Sequence, residues 1–374
     1  MSKILLTGGG TGGHIYPLLA VAQEILKIAK SDAEIIYIGP RSPINAEFAN
    51  YGIKIYKITA SKWRRYFDVR NIIDIPKFFF SLFEALLKLY FLMPDVVFSK
   101  GGPGSLAVVM AAKFYFIPII IHESDAIPGL TNRLSAKFAK RIAVAFPGAI
   151  KYFPSKKTAL VGNPIRPRLL GGELDPRAAK ERLGFSGDVP LILVLGGSQG
   201  AMKINAFVSD NLEQLVGEFQ IFHQAGPNNF EEVNSLTGEI LKELSESVRK
   251  RYKLVDYLDA PELSLALNAA DVVISRAGAG ATFEIAFSRK PSILVPIDGS
   301  ANDHQWANAY EYGKSGAAVV VEEGNFKINI VLSQIKNILS NPETIQKMSK
   351  AAANFSKPNA AEVIAEEILR LAVR

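Results

Sequence analysis

The sequence predicts an α/β protein built from two doubly wound parallel sheets, each in its own domain. Length is the first indication, because 374 residues exceed one ordinary domain and make two the natural expectation. Repetition is the second, because both halves of the chain contain apolar runs that end in glycine turns. The third is a set of short continuous apolar runs, typical of strands buried on both faces, at residues 4–6, 35–38, 117–121, 142–146, 293–296 and 317–321.

Two motifs form the repeat. The run ILLTGGGTG at residues 4–12 is matched by LILVLGGSQG at residues 191–200. The run DVVFSKGGPGS at residues 95–105 is matched in pattern by DVVISRAGAGA at residues 271–281. Each motif is a predicted strand that ends in a glycine turn before a predicted helix, which is the alternation of a parallel doubly wound sheet.

The repeat and a segment rich in proline and glycine set the expected domain limits. We expect an N-terminal domain over residues 1–162, a linker over 163–170, a C-terminal domain over 171–356 and a closing helix over 357–374 that packs back toward the N-terminal domain. Helical patterns are predicted at residues 17–29, 206–216, 282–287 and 360–373.

Composition limits the chemistry. The chain has no cysteine, which excludes disulfides, thiolate catalysis and cysteine-based zinc sites. The net charge of +7 is uneven: residues 1–162 carry 21 Lys/Arg against 10 Asp/Glu, and residues 163–374 carry 22 against 26. A basic half suits an anionic surface, and nucleic acid or anionic lipid both fit the sign. Ile4 already begins the fold, so no secretory signal is expected.

The first glycine turn predicts a phosphate site. Five glycines occupy residues 8–13, between a predicted strand and a predicted helix. Glycines let backbone N–H groups approach a phosphate, and a helix N-terminus adds about half a positive charge. His14 lies in this turn. A helix N-terminus disfavours imidazolium, so His14 would be neutral and able to accept a proton; a solvated histidine in a structural turn is the alternative.

Three further segments place polar side chains where ligands bind in parallel sheets. His122-Glu123-Ser124-Asp125 follows the predicted strand at 117–121. Glu284 comes about one turn into the helix opened by the glycines at 276–281, where a carboxylate can bind ribose hydroxyls or can simply be favoured by the helix dipole. A polar loop at 298–308 leads into another helix and could bind sugar hydroxyls or simply cap that helix. The four histidines are scattered, so no metal site is expected.

Residues 77–88 predict a very apolar helix. Its polar side chains, Lys77, Ser81, Glu84 and Lys88, form one narrow stripe at helical spacing. Such a helix is either fully buried or partly in lipid; residues 78–93 are too short and too charged to span a membrane. The basic cluster just before it, which contains Trp63, Arg64 and Arg65, favours an anionic membrane surface. No RNA-binding module is visible, so nucleic acid is not an expected partner.

Together these motifs resemble the MurG family of bacterial transferases. The matching segments occur in the family's order along nearly the whole chain: GGGTGGH at 8–14, His122-Glu123, PGLTN at 128–132, VGNPIR at 161–166, GGSQGA at 196–201, residues 276–284 and DHQ at 303–305. The resemblance implies two Rossmann-like domains of the GT-B type facing a cleft. It implies inverting transfer of N-acetylglucosamine from UDP-GlcNAc to the 4-hydroxyl of the MurNAc-pentapeptide of lipid I, which forms lipid II for peptidoglycan synthesis.

The resemblance also implies roles for individual residues. His14 would be the general base, with Glu123 close by as the second catalytic residue. Asp125 stands where the best-known form of the family has an asparagine that contacts the sugar. Glu284 would bind the ribose and Gln305 the sugar. The remaining substrate-binding positions are Thr11, Gly12, Gly13, Arg166, Ser198, Leu258, Ala279, Gly280, Ala281, Thr282 and Phe283.

The implied setting is the cytoplasmic face of the bacterial cell membrane. The N-terminal domain would hold the acceptor and associate with the membrane through Trp63, Arg64, Arg65, Phe79, Phe80 and Phe83, and the C-terminal domain would bind UDP-GlcNAc. No cofactor is called for, and other cell-wall synthesis proteins are further candidate partners. A diacylglycerol glycosyltransferase of the same superfamily, a UDP-GlcNAc 2-epimerase and a non-catalytic subunit that binds nucleotide sugars are the alternatives.

Overall fold

The computed structural model describes residues 1–30, 32–60, 70–166, 169, 174–197, 201–299 and 303–373, with the side chains of 70–73 left aside. Within these residues the chain divides into two compact units. The first comprises Met1–Arg166 together with Lys357–Arg374, and the second comprises Pro167–Ser356. Each unit is described by itself below.

The first unit is a parallel sheet flanked by helices. Its described strands lie in the order β3-β2-β1-β4-β5-β6-β7, which is doubly wound from a central β1/β4 pair. Its elements are β1 (Ser2–Thr7), α1 (Gly12–Ala29), β2 (Ala33–Gly39), α2 (Ala46–Ala49), β3 (Lys54–Lys57), α3 (Arg70–Leu92), β4 (Val96–Ser99), α4 (Ser105–Phe114), β5 (Ile119–Glu123), α5 (Leu130–Ser135), β6 (Arg141–Val144) and β7 (Thr158–Leu160).

The second unit repeats this architecture. Its described strands lie in the order β10-β9-β8-β11-β12-β13, again all parallel. Its elements are α6 (Pro176–Arg182), β8 (Leu191–Leu195), α7 (Met202–Asp210), α8 (Leu212–Glu218), β9 (Gln220–Gln224), α9 (Phe230–Lys242), α10 (Glu246–Arg249), β10 (Tyr252–Val255), α11 (Ala260–Ala269), β11 (Val272–Ser275), α12 (Ala279–Phe287), β12 (Ser292–Leu294), α13 (His304–Lys314), β13 (Ala318–Val320), α14 (Ile328–Leu339) and α15 (Pro342–Phe355). The helix α16 (Ala360–Ala372) returns to the first unit.

The alternation of side chains along β1 builds two cores in the first unit. Ile4 and Leu6 face one side of the sheet and pack with α1 and with Ile364 of α16. Leu5 faces the other side and packs with residues of α3 and α4, including Leu89. Both faces of the sheet are therefore covered, which explains why its strands read as continuous apolar runs.

Three predicted boundaries are wrong. The first helix begins at Gly12, not near Pro17, so Gly12 and Gly13 belong to the helix rather than to the preceding turn. His122 and Glu123 are the last two residues of β5 rather than the residues after it. The helix predicted at 206–216 is two helices, α7 and α8, that meet at Asn211.

The orientation of α3 excludes its complete burial. Ser81, in the predicted polar stripe, is fully buried, and the Glu84 carboxylate accepts a hydrogen bond of 2.8 Å from the Thr59 backbone N–H. The stripe therefore faces the protein at these positions. Phe79, Phe80 and Phe83 are 64%, 57% and 57% exposed. No helix in the described ranges is both long and apolar enough to span a membrane.

The second unit contains a buried histidine that links pH to stability. His223 on β9 is fully buried, with Nδ1 3.0 Å from the Tyr252 hydroxyl and Nε2 3.0 Å from Asn205 Oδ1. Burial lowers the pKa of His223 to about 3. The histidine therefore stabilises the folded chain fully above its unfolded-state pKa of about 6.5, and this contribution is lost as pH falls toward the folded value.

We predict that His223→Gln makes folding less sensitive to acid. Glutamine offers a donor and an acceptor but does not titrate. Between pH 7.5 and 5.5 the wild-type free energy of unfolding should fall by about 1.4 kcal/mol more than that of the variant. Urea unfolding at the two pH values measures this difference, and equal falls in the two proteins would show that His223 is not buried in its neutral form.

Candidate functional site

The register of the paired strands brings the segments that contain the predicted site residues of the first unit to one edge of its sheet. Thr7 of β1 pairs with Ser99 of β4, and Ser99 pairs with Ile121 of β5. The chain beyond each strand end therefore emerges at the same edge, next to the β1/β4 switch point where ligands bind in such sheets. The segments that meet there are the turn before α1, the turn at 100–104 and the end of β5.

The glycine turn before α1 is held by neighbouring segments. The Tyr37 hydroxyl donates to the Gly8 carbonyl at 3.2 Å, and the Ser42 hydroxyl donates to the Gly10 carbonyl at 2.8 Å. A Cβ on Gly8 would lie 2.9 Å from Leu18 Cδ1, so any other residue there would require the leucine side chain to shift. Within the described residues no side chain caps the start of α1 at Thr11, which leaves the first N–H groups of the helix available to an anion.

His14 lies in the first turn of α1, half-buried. Its Nδ1 is 2.8 Å from the Thr11 hydroxyl oxygen. Its Nε2 faces the neighbouring turn, because a Cβ on Gly102 would lie 2.9 Å from it. Burial and the charge of Lys100 lower the pKa of His14 to about 4, although the Asp125 carboxylate opposes this. His14 is therefore neutral near pH 7 and can accept a proton.

Glu123 organises the loop after β5. Its Oε1 accepts from the Asp125 N–H at 3.0 Å, and its Oε2 accepts from the Gly129 N–H at 3.1 Å and from Asn132 Nδ2 at 3.0 Å. Burial and the nearby Asp125 charge raise its pKa to about 7, against hydrogen bonding and the Lys100 charge. Since all these partners belong to the loop or to α5, Glu123 holds Asp125 in place beside His14.

His122 lies in the interior of the first unit and has a structural role. It is fully buried, and its Nε2–H donates to the Gly162 carbonyl at 2.8 Å. Burial, with the charge of Lys100, holds its pKa well below the usual value. This bond fastens the end of β5 to the segment that follows β7.

Arg166 also approaches the first turn of α1. Its guanidinium lies 4.6 Å from the centre of the Tyr16 ring, over its face. Tyr16 in turn lies beside Gly12, because a Cβ on Gly12 would be 3.0 Å from the tyrosine ring. The first unit therefore brings together seven of the predicted site residues: Thr11, Gly12, Gly13, His14, Glu123, Asp125 and Arg166.

Lys100 belongs to the same cluster and was missed by the sequence prediction. It follows β4 directly, is only 2% exposed, and its Nζ has no hydrogen-bond partner among the described residues. Burial lowers its pKa to about 8, while the charges of Glu123 and Asp125 oppose the shift. The repeat contained a signal for it, because Lys100 and Arg276 occupy the same position in the two DVV motifs.

The second unit has its own glycine turn at the equivalent edge. The Gly196 N–H donates to the Gln224 carbonyl at 2.9 Å, and a Cβ on Gly196 would lie 2.7 Å from that oxygen. Gly197 has a φ of +71°, which favours glycine. Ser198 lies outside the described residues, as do Trp63, Arg64 and Arg65 of the first unit.

The start of α12 is the second feature of this edge. No side chain caps this helix at Gly278 within the described part of the chain, so its N–H groups are available to an anion. Glu284 lies further along α12 and is 8% exposed. The Phe283 side chain packs against Phe355 in the core, so a ligand could contact only its backbone. The other predicted contacts from this helix, Ala279, Gly280, Ala281 and Thr282, lie in its first turn.

The two remaining predicted residues differ in accessibility. Leu258 is buried before α11 and can offer a ligand only its backbone. Gln305 lies in the first turn of α13, where its Oε1 accepts from the Ile297 N–H at 3.2 Å. Ile297 follows β12, so this bond fastens α13 to the same edge of the sheet. No group of histidine, aspartate and glutamate in the described ranges is arranged to hold a metal ion.

A buried carboxylate joins two segments of the second unit, the one that follows its glycine turn and the one that follows β11. Glu323 lies 2.6 Å from Arg276 and also accepts from Lys203, which lies near the start of α7. Arg276 donates in addition to the Val295 carbonyl at 3.1 Å. Burial would raise the pKa of Glu323, but its bonds to these two cations outweigh that effect and lower it. Nothing in the sequence pattern pointed to Glu323, because it meets Arg276 only through the order of β11, β12 and β13.

Two Rossmann-like units with glycine turns and open helix starts are typical of nucleotide-binding α/β proteins. The glycosyltransferase family 28 N-terminal domain matches residues 4–144, and the glycosyltransferase family 28 C-terminal domain matches residues 191–364. The chain belongs to glycosyltransferase family 28.

Relatives that match over nearly their full length show which members of that family this chain resembles. The UDP-N-acetylglucosamine--N-acetylmuramyl-(pentapeptide) pyrophosphoryl-undecaprenol N-acetylglucosamine transferase of Clostridium kluyveri is 38% identical over 94% of this chain and 96% of its own length. The transferase of the same name from Thermoanaerobacter sp. is 37% identical over 97% and 98%. The crystal structure of Acinetobacter baumannii MurG matches with a TM-score of 0.74 at 26% identity, over 99% of this chain and all of the other.

One alternative shares the architecture. A UDP-GlcNAc 2-epimerase from Neisseria meningitidis matches with a TM-score of 0.70 over 98% of this chain and all of its own, at only 14% identity. Identity this low shows a common fold alone. The GT-B architecture expected from the resemblance is confirmed by these matches and by the two parallel-sheet units.

We predict that Glu323→Gln destabilises the second unit. The change leaves Arg276, whose side chain is 12% exposed, without its carboxylate partner, and the free energy of unfolding should fall by about 3 kcal/mol. The matched control is Glu343→Gln, which breaks the solvent-exposed pair with Lys347 and should cost less than about 0.5 kcal/mol. Denaturant unfolding measures both. Equal effects of the two changes would refute the buried ion-pair network.

Proposed function

We infer that this chain transfers N-acetylglucosamine from UDP-GlcNAc to the MurNAc-pentapeptide of undecaprenyl-pyrophosphoryl lipid I, giving lipid II for peptidoglycan synthesis. The observation that carries this inference is identity of 35–38% with transferases of that name over 94–97% of the chain. This identity favours the lipid I acceptor over diacylglycerol. It favours transfer over epimerisation for the same reason, since the epimerase likeness is one of fold.

We propose that His14 is the general base. The acceptor's 4-hydroxyl would attack the anomeric carbon of the donor sugar as the bond between that carbon and the UDP oxygen breaks, with inversion. The hydroxyl proton passes to the neutral His14, and UDP leaves with the bonding electron pair. The Asp125 charge, which raises the pKa of His14, would stabilise the imidazolium that forms. Thr11, Gly12 and Gly13 would provide backbone groups for a phosphate at the same helix start.

We propose that Glu123 supports this chemistry by position. Its carboxylate accepts hydrogen bonds from the backbone of the 125–129 loop and from Asn132, so it fixes Asp125 relative to His14. This assigns Glu123 to the catalytic machinery without requiring it to touch the reacting atoms.

The second unit is the proposed donor site. Its uncapped helix start at α12 and its 196–197 turn would receive the UDP diphosphate, whose negative charge grows as the sugar leaves. Glu284 would bind the ribose hydroxyls and Gln305 the sugar. Ser198 and Arg166 are further proposed donor contacts, and Ala279–Thr282, Phe283 and Leu258 would contribute mainly through their backbones. Helix dipoles supply at most about 2 kcal/mol each, so the ribose and uracil contacts must supply much of the affinity.

The exposed face of α3 is the proposed membrane-contact surface. Phe79, Phe80 and Phe83 project from the side opposite the buried Ser81. An exposed apolar surface of this kind, on the half of the chain with an excess of basic residues, fits an anionic membrane. The enzyme would then meet lipid I as a peripheral protein on the cytoplasmic face of the cell membrane. Trp63, Arg64 and Arg65 remain proposed contacts from the sequence alone.

We predict that His14→Ala impairs transfer and that Glu284→Ala impairs nucleotide binding. His14→Ala should abolish transfer to a lipid I analogue and leave the UDP-GlcNAc dissociation constant within about threefold, because His14 acts on the acceptor. Glu284→Ala should weaken UDP binding by at least about tenfold, because a buried carboxylate loses its ribose bonds. Calorimetry and an acceptor assay with vesicles measure both. Each variant is the control for the other, and near-normal transfer by His14→Ala would remove it from the chemistry.

We predict that replacing Phe79, Phe80 and Phe83 with serine releases the protein from anionic vesicles. Each large apolar side chain contributes about 1.5 kcal/mol or more when buried in lipid, so partitioning should weaken at least about 100-fold. Sedimentation with vesicles measures this. Leu236→Ser with Ile330→Ser is the control, because both side chains are exposed on the second unit. Unchanged partitioning of the triple variant would contradict the assignment of this surface.

A further inference from the structure

Lys100 carries a buried charge that has no direct hydrogen-bond partner among the described residues. Its backbone N–H donates to the Thr7 carbonyl at 2.9 Å, which fixes it between the end of β1 and the turn at Gly101. Its Nζ is buried and makes no hydrogen bond or ion pair within the described part of the chain. A buried ammonium without a partner is costly, and proteins rarely retain one without a use.

The internal repeat makes the absence of a partner specific to the first unit. Arg276 stands at the position of Lys100 in the second DVV motif, and there the cation is paired with Glu323 at 2.6 Å. Within the described residues no carboxylate forms an ion pair with Lys100. The charge of Arg276 is therefore neutralised locally, whereas the charge of Lys100 acts on the groups around it.

Those groups are His14, the proposed general base, and the carboxylates of Glu123 and Asp125. His14 comes from α1, Glu123 from β5 and Asp125 from the loop after β5. Lys100 disfavours a proton on His14 and on Glu123, and Asp125 favours one on both. The other polar groups that face them are Thr11 on Nδ1 of His14, Asn132 on Glu123, and the buried His122, which Lys100 also keeps neutral.

We propose that Lys100 is a positioning residue for the transfer, whose buried ammonium opposes Asp125 and disfavours a proton on His14 and on Glu123 until the acceptor hydroxyl releases one. The proposal rests on the proposed function, because it concerns the same site. Lys100 itself does not touch the substrate, since its Nζ is not accessible.

The test is the pH dependence of kcat/KM for transfer to a soluble lipid I analogue. Loss of the positive charge in Lys100→Met should move the acid limb of the profile to higher pH by roughly one unit. Loss of the negative charge in Asp125→Asn should move it to lower pH. The acid limb moves in the same direction whether His14 or Glu123 controls it. The reason is that the Lys100 charge lowers the pKa of both groups and the Asp125 charge raises the pKa of both.

Two further variants separate charge from structure. Lys100→Arg keeps the charge and should retain the wild-type limb. Lys180→Met removes another buried lysine, one that pairs with Asp271 in the second unit, and should lower stability without moving the limb. The proposal is overturned if the acid limb of folded Lys100→Met lies at the wild-type pH. It is also overturned if the acid limb of Asp125→Asn lies at the wild-type pH, and this second result is decisive if Lys100→Met does not fold. Absence of transfer by the wild-type protein would instead refute the proposed function.

Discussion

The parallel register of β1, β4 and β5 is the constraint on which the candidate site depends. Because Thr7, Ser99 and Ile121 lie side by side, the chain beyond each strand end reaches the same edge of the sheet. That edge carries a helix start, a buried lysine and a buried carboxylate within one small volume. Each ionisable group there is then governed by its neighbours rather than by water, which explains why His14, Lys100 and Glu123 all depart from their ordinary pKa values.

The duplication shows how one architecture can serve two tasks. Both units end a central strand in a DVV motif followed by a cation and a helix start. In the second unit Glu323 pairs with that cation and with Lys203, so the charges there fix the segments around the proposed anion site. In the first unit the cation has no such partner, and its field falls on a histidine and a carboxylate. The paired cation of the second unit suits ligand binding, and the unpaired cation of the first unit suits proton transfer.

The sequence was sufficient for the architecture because its signals are local. Continuous apolar runs and glycine turns predicted the parallel sheets, and the repeat predicted two of them. The start of α1 was misplaced because Pro17 resembled a first helical position, whereas Gly12 and Gly13 already adopt helical geometry. The polar stripe on α3 could not be oriented from its spacing, because helical periodicity does not say which side meets the protein. Ser81 and Glu84 decide it through burial and the bond to Thr59.

The candidate site was predictable only in part, because its properties depend on residues that the fold brings together from distant parts of the sequence. Glycine turns and a histidine in one of them are visible along the chain. The environments that set the properties of His14 and Glu123 come from Lys100, Asp125 and Asn132, which register and burial bring into place. Glu323 is the extreme case, since it follows β13 while Arg276 follows β11, and β12 lies between these strands in the sheet.

The central claim is that the protein holds His14 neutral in the resting site. An NMR titration of the histidine side chains measures this directly, with the His14 signal assigned by its loss in His14→Gln. We expect the His14 imidazole to stay unprotonated from pH 8 to below pH 5, with a pKa of about 4. A His14 pKa at or above about 6.5, the value of a free histidine, would show that the site does not hold His14 neutral.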